Sequence, residues 1–293
     1  MQEQQLKLKM ATVEQANIRG LQIDKTVKGF ALRNYVFKGD CITSTMSDDG
    51  IRYYEEDAGD LEATSPSSIS NVSPLSKPAT LEVNWTRKTA YYKKYFVEGF
   101  LSREDIQSAE IPVLARTLLR LTRAITKQVD GAIYAAAAAA PQGDNTYAGA
   151  SEWDGASGQD PIKDLNQAKR VISQNDYSPE GASLWINPTE YESLVTWLIS
   201  EKGAYVPNFA SEKLQTGTVM QLMGLNIKVS NNVTAGEAIV IVPNSAMTWY
   251  SFENITARTV ENEGVGSMIR VWESGVPVVH EPKAIVKITA LKE

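Results

Sequence analysis

Two side chains that could act as a nucleophile and a base each occur once in this chain, at Cys41 and His280. They lie far apart in the sequence, and neither is surrounded by a motif of catalytic cysteines or histidines. One cysteine cannot form an internal disulfide or a multi-cysteine zinc site, and one histidine cannot form a paired-histidine metal site. We therefore expect Cys41 to be a small strand residue and His280 to be a polar residue at a strand end.

A group of acidic residues between positions 48 and 62 is the best candidate for a metal site. Hard divalent cations take carboxylate oxygens as ligands, but this group lacks the fixed register of a calcium loop. Acidic side chains in an exposed hairpin are usually solvated, so we expect no metal here. The group consists of Asp48, Asp49, Glu55, Glu56, Asp57, Asp60 and Glu62.

Basic and aromatic residues are interleaved between Trp85 and Tyr95, as in proteins that bind single-stranded nucleic acid by stacking and phosphate attraction. Along a strand, however, successive side chains point to opposite faces, so these aromatic rings would be divided between two faces. The segment is therefore predicted to be a strand that contacts another subunit through tyrosine rings and lysine stems. Nucleic-acid binding through this strand remains an alternative function of another class.

Further catalytic motifs are weak or missing in the sequence. Residues 264–267 (GVGS) are not followed by a helical pattern, which a dinucleotide-binding loop requires. There is no serine-centred elbow and no phosphate-loop lysine motif. We predict that the protein is not an enzyme, with no catalytic, cofactor-binding or metal-binding residues and no cofactor.

The composition is that of an ordinary globular protein. The chain has 293 residues, of which 43% are hydrophobic and 22% charged, enough for one large or two medium cores. No long apolar run or signal-peptide pattern occurs, so we expect a soluble intracellular product that binds no membrane. The net charge of −6 and the pI near 5.1 give the molecule as a whole no attraction to nucleic acid.

The first part of the chain is predicted to form an arm and a long hairpin. Residues 1–28 are polar with a weak helical signal, and the pattern becomes extended from Gly29 to Asp60, with a turn signal at residues 47–50. Residues 63–78 are rich in serine and proline and cannot form a core. Because extended segments flank this stretch on both sides, we expect a projecting hairpin rather than a linker.

A long helix is predicted from Pro112 to Ala140, after a capping box at residues 102–105. Arg116, Arg120, Arg123, Lys127 and Asp130 fall on one face of it. Its apolar stripe is Leu114, Leu118, Leu121, Ile125, Val129 and Ile133.

The predicted helix ends in six consecutive alanines, residues 135–140, followed by Pro141 and Gly143. Alanine has the best helix propensity and little bulk, so we expect neighbouring backbone to approach this end closely.

An alternation of helices and strands follows a predicted loop at residues 144–158. Helices are expected from Asp160 to Val171 and from Thr189 to about Lys202, and strands at residues 181–188, 225–230 and 238–242. This spacing indicates a compact α/β unit. The extended tail, residues 245–293, is expected to rejoin the first body, with strands at residues 268–272 and 284–288.

The order of these parts resembles the major capsid proteins of tailed bacteriophages and their relatives, the Hong Kong 97-like family. The stretches that carry the resemblance are FVEGFLS (residues 96–102), QVDGAI (128–133), DYSPEGASLWINP (176–188) and MGLNIKVSN (223–231). The resemblance implies an α+β fold with an N-terminal arm, an extended β-hairpin loop, a peripheral domain with a long spine helix, and an axial α/β domain.

The domains implied are the arm (residues 1–28), the extended loop with its flanking strands (29–98), the peripheral domain (99–140 and 246–293) and the axial domain (141–245). The family's usual N-terminal scaffolding segment is not found after Met1, so a separate scaffolding protein or none is expected.

The resemblance implies a structural protein that self-assembles into pentamers and hexamers of an icosahedral shell. The shell would enclose double-stranded DNA without sequence-specific binding, would have a portal, and would be assembled in the host cytoplasm as part of the virion. A same-fold alternative is an encapsulin-like compartment that holds enzymes instead of DNA.

Overall fold

The structure is a computed structural model that describes residues 22–56, 73–74, 85–102, 104, 113–155, 158–200, 221–262 and 265–292. Several predicted segments lie wholly or largely outside the described residues. They are most of the arm, the serine- and proline-rich hairpin tip except residues 73–74, half of the capping box (residues 103 and 105), Pro112 and residues 201–220.

The described part contains helices and strands in roughly the predicted order. The helices are α1 (residues 22–34), α2 (Val113–Ala139), α3 (Pro161–Gln174) and α4 (Pro188–Ser200). The strands are β1 (Ile42–Thr45), β2 (Gly50–Glu56), β3 (Trp85–Tyr91), β4 (Lys93–Ser102), β5 (Thr146–Ala148), β6 (Ser183–Ile186), β7 (Gln221–Leu222), β8 (Leu225–Val229), β9 (Ala238–Ile241), β10 (Met247–Asn262), β11 (Gly266–Val279) and β12 (Ile285–Thr289).

Helix α1 corrects the prediction that the chain becomes extended at Gly29. Val27 and Ala31, four residues apart, are both buried, and Ile23 and Phe30 pack partly against the same core. This spacing belongs to one face of a helix, whereas the sequence was interpreted with the period of a strand. An ion pair between Lys28 and Asp24, with a distance of 2.6 Å, stabilises adjacent helical turns.

A four-stranded sheet has the order β1-β10-β11-β4, with β1 parallel to β10 and the other pairs antiparallel. The predicted hairpin is confirmed at its base, because β2 pairs with β3 from Gly50 opposite Tyr91 to Glu56 opposite Trp85. Strands β1 and β2, although joined by a bend, therefore belong to different sheets.

The predicted long helix is confirmed as α2, which packs on one face of the four-stranded sheet. Gly99 of β4 allows close packing, since a Cβ there would lie 3.0 Å from the Leu121 side chain. Two side chains differ from the prediction. Leu114 is 42% exposed, with Val113 packed against the core instead, and Asp130 is buried because residues 36–38 cover the helix there.

The alanine run packs on one side only. Ala137 is fully buried, whereas Ala135 and Ala139 are exposed. The helix ends at Ala139, and Gly143 has a φ of +58°, a left-handed conformation that glycine adopts readily. Three further alanines of the run are partly buried against the same core, so the small side chains allow close packing around most of this helix end.

A six-stranded sheet has the order β5-β12-β9-β6-β8-β7. Every residue of β6 and β9 is buried, because both faces of the sheet are covered. One face, including Leu184 and Val240, shares a core with α3 and α4, and the other, including Trp185 and Ile239, shares the core of α2. The predicted helices and strands of the α/β unit are thus confirmed.

Two local predictions are corrected by this sheet. Residues 146–148, predicted to be loop, form β5, which pairs in parallel with β12. Strand β12 itself, expected to return with the tail to the first body, pairs with β9 and β5. In the described part of the chain, no helix combines the length and apolar character that a membrane span requires.

Candidate functional site

Cys41 lies in an apolar environment that makes its thiol unreactive. The residue is buried just before β1, and its Sγ lies 3.8 Å from the Phe37 carbonyl oxygen. Burial, assisted by the charge of Asp40, raises the pKa of the Cys41 thiol to about 12. The thiolate needed for nucleophilic chemistry is therefore suppressed at neutral pH.

His280 follows the end of β11 and contacts the base of the hairpin. Its Nδ1 lies 3.4 Å from the Tyr54 carbonyl oxygen, and its Nε2 lies 3.5 Å from the Tyr250 hydroxyl. The Tyr53 ring meets the imidazole edge-on, with 5.8 Å between ring centroids. The structure does not bring His280 to Cys41, and the histidine instead joins the hairpin to the body.

The acidic group of the hairpin is only partly described. Glu55 forms an ion pair with Lys88 across the β2–β3 pair, and Asp57, Asp60 and Glu62 lie outside the described residues. Among the residues that the structure describes, no three metal-ligating side chains cluster together.

The basic and aromatic segment from Trp85 to Tyr95 is not one continuous strand. It breaks at Tyr92, where the chain leaves the β2–β3 pair and enters the four-stranded sheet as β4. Tyr92 stacks on Phe252 with 4.4 Å between ring centroids. The basic and aromatic side chains are therefore divided between two sheets. This separates the residues that the alternative of nucleic-acid binding would need on one strand.

The hairpin offers one candidate contact surface. In the described part of the chain, β2 and β3 pair only with each other, and the side chains of Tyr54 and Tyr91 are 49% and 69% exposed. An isolated two-stranded ribbon is marginally stable in water. Large exposed tyrosines are also typical of residues that become buried at interfaces.

The outer face of the four-stranded sheet, opposite α2, offers a second contact surface, which we call the aromatic sheet face. It comprises Phe96, Phe100 and Trp272, with Phe96 and Phe100 about half exposed. Phe96 lies directly opposite Trp272 in the β4–β11 register. The Nζ of Lys94 lies 5.6 Å from the Phe96 ring centroid, and Arg258 lies over Trp272. Aromatic rings and cations of this kind are enriched at protein interfaces.

Three buried carboxylates fasten residues 35–41 to the rest of the molecule, and we call this arrangement the carboxylate junction. Asp40 accepts hydrogen bonds from Trp185 Nε1 at 2.7 Å and Ser183 Oγ at 2.9 Å, and pairs with Lys228 at 2.8 Å. The junction therefore connects this segment to the six-stranded sheet.

Asp130 and Glu273 complete the carboxylate junction. Asp130 accepts the backbone N–H groups of residues 36–38, yet desolvation by burial raises the pKa of its carboxyl. Glu273 on β11 pairs with Lys38 at 2.5 Å and accepts the Tyr35 hydroxyl. Burial, reinforced by Glu273, raises the pKa of the Tyr35 phenol well above its ordinary value. This junction holds α2 and both sheets in one arrangement.

Sequence reasoning missed the carboxylate junction. Asp130 was assigned to the charged helix face, and Asp40 and Glu273 were not singled out. The signal available for Asp130 was its position next to Val129 in the buried stripe. The partners of the three carboxylates come from distant parts of the chain, which local periodicity does not predict.

Two of the three comparisons with known proteins, the family models and the solved structures, point to the same kind of protein. A family model described as phage capsid protein matches residues 100–288, more than half of the chain. The search of curated proteins found no match.

Three similar solved structures cover most of the chain. The capsid of cyanophage P-SCSP1u has 16% identity and a TM-score of 0.64, covering 88% of this chain and 89% of that one. The virus-like particle from Pyrococcus furiosus has 12% identity and a TM-score of 0.63, covering 92% and 99%. Mycobacterium phage Che8 has 14% identity and a TM-score of 0.58, covering 89% and 90%. At these identities, the likeness establishes a common fold.

Proposed function

The chain belongs to the phage capsid protein family, and from this premise we propose that its copies form pentamers and hexamers that close into an icosahedral shell around double-stranded DNA. It is a structural major capsid protein with the predicted α+β, Hong Kong 97-like fold. Its place is therefore the capsid of the virion.

The observation that carries the assembly proposal is the hairpin. Within the described part of the subunit its two strands form a sheet only with each other, and Tyr54 and Tyr91 are exposed on it. Contact with a neighbouring subunit would bury these rings and stabilise the ribbon. Because each copy both extends a hairpin and presents a body to other hairpins, many weak interactions add up in a closed symmetric shell.

The proposal also covers the other proteins that take part in assembly and the place of each domain in the shell. We assign assembly to the host cytoplasm, with a separate scaffolding protein and a portal, and no enzymatic activity. The hairpin region (residues 45–95) would lie over a neighbouring subunit. The axial domain (141–245), extended by β12 from the tail, would lie at the capsomer centre, with the peripheral domain (99–140 and the tail up to β11) around it.

Deletion of residues 62–80 tests the assembly proposal. The variant should remain a folded subunit with an unchanged far-UV circular dichroism spectrum and melting midpoint, because both sheets of the body are retained. Size-exclusion chromatography and negative-stain microscopy should show that it forms no shells, whereas the full chain does. Normal shells from the deleted variant would contradict the role of the hairpin.

The encapsulin-like compartment remains the alternative that shares this fold. It is favoured by the likeness to the virus-like particle from Pyrococcus furiosus, which covers 99% of that chain. Purified shells from an expressing host separate the two functions. A shell that specifically retains one folded host enzyme through a terminal peptide would indicate a compartment, whereas shells that take up DNA in a packaging reaction would indicate a virus.

A further inference from the structure

Helix α2 carries a row of cationic side chains on its solvent-exposed face, and we call it the basic row. It consists of Arg116, Arg120, Arg123 and Lys127, all exposed. The spacing i, i+4, i+7, i+11 places them within an arc of about 60° and along about 16 Å of helix. A chain with a net charge of −6 thus concentrates positive charge on one helix face.

The basic row is not neutralised by acidic side chains within the described ranges. None of its members forms an ion pair with a described residue. By contrast, Lys228 pairs with Asp40, Arg270 with Glu98, and Lys287 with Glu237. The acidic residue of α2, Asp130, is buried, with its carboxylate held by backbone N–H groups.

A polar cleft of about 310 Å³ lies beside the C-terminal half of the basic row. Arg123 and Lys127 line it from α2, Asn34 from the end of α1, and Asn231 and Asn232 from the turn after β8. Asp130 also lines the cleft, but its carboxylate is buried and held by backbone N–H groups. Arg123 and Lys127 therefore give the cleft its exposed charge, which suits a phosphate oxygen.

We propose that the basic row and this cleft bind the phosphodiester backbone of double-stranded DNA, which places the exposed face of α2 on the inner wall of the shell. This inference rests on the proposed function, since a shell of this kind encloses DNA. The row would span about five base pairs at 3.4 Å per base pair. Guanidinium groups bind phosphate in a bidentate manner, and such contacts read no base sequence.

The structure favours DNA over an acidic protein segment as the partner of the basic row. Protein interfaces combine charges with a buried apolar or aromatic core. On α2, the large apolar side chain that is exposed is Leu114, before the row begins. The aromatic sheet face has the mixed character of a protein contact, whereas the basic row has the character of a polyanion-binding surface.

The test measures binding of a fluorescent 20-base-pair DNA duplex to the unassembled full-length protein at several salt concentrations. The variant Arg120→Gln/Arg123→Gln/Lys127→Gln should bind at least about tenfold more weakly. Its slope of log affinity against log salt should become shallower by about 0.9 for each phosphate group that the variant no longer binds. The control Lys163→Gln/Arg170→Gln, which removes two exposed cations from helix α3, should bind like the wild type.

Shell assembly is measured in parallel by negative-stain microscopy. The assembly proposal and the DNA-binding inference can then be contradicted independently of each other. Unchanged DNA affinity in the triple variant overturns this inference, whether or not the wild type forms shells. A variant that no longer assembles while its DNA affinity is unchanged indicates an acidic protein partner and also overturns it. The charge-preserving variant Arg120→Lys/Arg123→Lys should keep most of the salt dependence, and a salt-independent affinity in that variant would contradict an electrostatic contact.

Discussion

The six-stranded sheet and the β2–β3 hairpin use the same kind of backbone pairing in opposite surroundings. All residues of β6 and β9 are buried between two cores, whereas the hairpin exposes Tyr54 and Tyr91. The sheet is stabilised within one subunit because apolar groups cover both of its faces. The hairpin pairs with no other described strand and touches the body through Tyr53 and His280. Under the assembly proposal, contacts between subunits supply the rest of its stability.

The largest effect is expected from a charge placed in the buried body. Ala137→Glu would bury a carboxylate where the alanine is completely buried, and should destabilise the subunit by about 4 kcal/mol or more. Ala135→Glu, two residues away and exposed, is the matched control and should change the free energy of unfolding by less than about 0.5 kcal/mol. Urea titration followed by circular dichroism measures both, and similar midpoints for the two variants would contradict the packing of this helix end.

A smaller destabilisation is expected at the carboxylate junction. Trp185→Phe keeps an aromatic ring to stack on Phe37, at 4.3 Å between centroids, but removes the hydrogen bond to Asp40. Because Asp40 would remain buried with one donor fewer, we expect the free energy of unfolding to fall by about 1–3 kcal/mol. The double variant with Asp40→Asn should be destabilised by less than the sum of the two single variants. Additive effects would mean that the two side chains do not act together.

A still smaller effect on the isolated subunit is expected from the hairpin. Tyr91→Ser should change subunit stability by less than about 0.5 kcal/mol, because the ring is 69% exposed. It should nevertheless raise the protein concentration needed for shell assembly, measured by light scattering. If Tyr91→Ser destabilised the subunit and left assembly normal, the hairpin would be shown to stabilise the subunit itself instead of the contacts between subunits.

Almost no reaction is expected at Cys41 in the native protein. The pKa of Cys41 is about 12 in the folded protein, above the ordinary value of 9.0. Because the thiol of the unfolded chain ionises first, the free energy of unfolding should be unaffected by this group below about pH 9 and should fall as the pH rises towards 12. At pH 8 a thiol reagent should therefore modify Cys41 only after denaturation. A cysteine introduced by Tyr91→Cys on the hairpin should react at once in the native subunit, and rapid modification of native wild-type protein would show that the body opens.

Local periodicity allowed much of the fold to be predicted. Helix α2 was recognisable because Leu118, Leu121 and Ile125 recur at helical spacing. The hairpin was recognisable because alternating segments flank a stretch that cannot form a core. Each signal lies within one continuous segment. Helix α2 and the paired base of the hairpin are confirmed, whereas the hairpin tip lies outside the described residues.

Pairing between distant segments was not predictable in the same way. Strand β12 has an apolar pattern that suits either sheet, and its partners β9 and β5 are chosen by tertiary packing. Helix α1 was missed because Phe30, Tyr35 and Phe37 were interpreted as parts of extended segments. The basic row was visible in the sequence, but its lack of acidic partners among the described residues and the adjoining cleft required coordinates.

Hydrogen–deuterium exchange of the same protein, first as unassembled subunits and then as shells, tests the central claim most directly. The amides of β6 and β9 should exchange slowly in both states. The amides of β2 and β3 should exchange rapidly in the subunit and slow down by at least about tenfold in the shell, because neighbouring copies would then cover the hairpin. Equal exchange of the hairpin in subunits and shells would contradict the account.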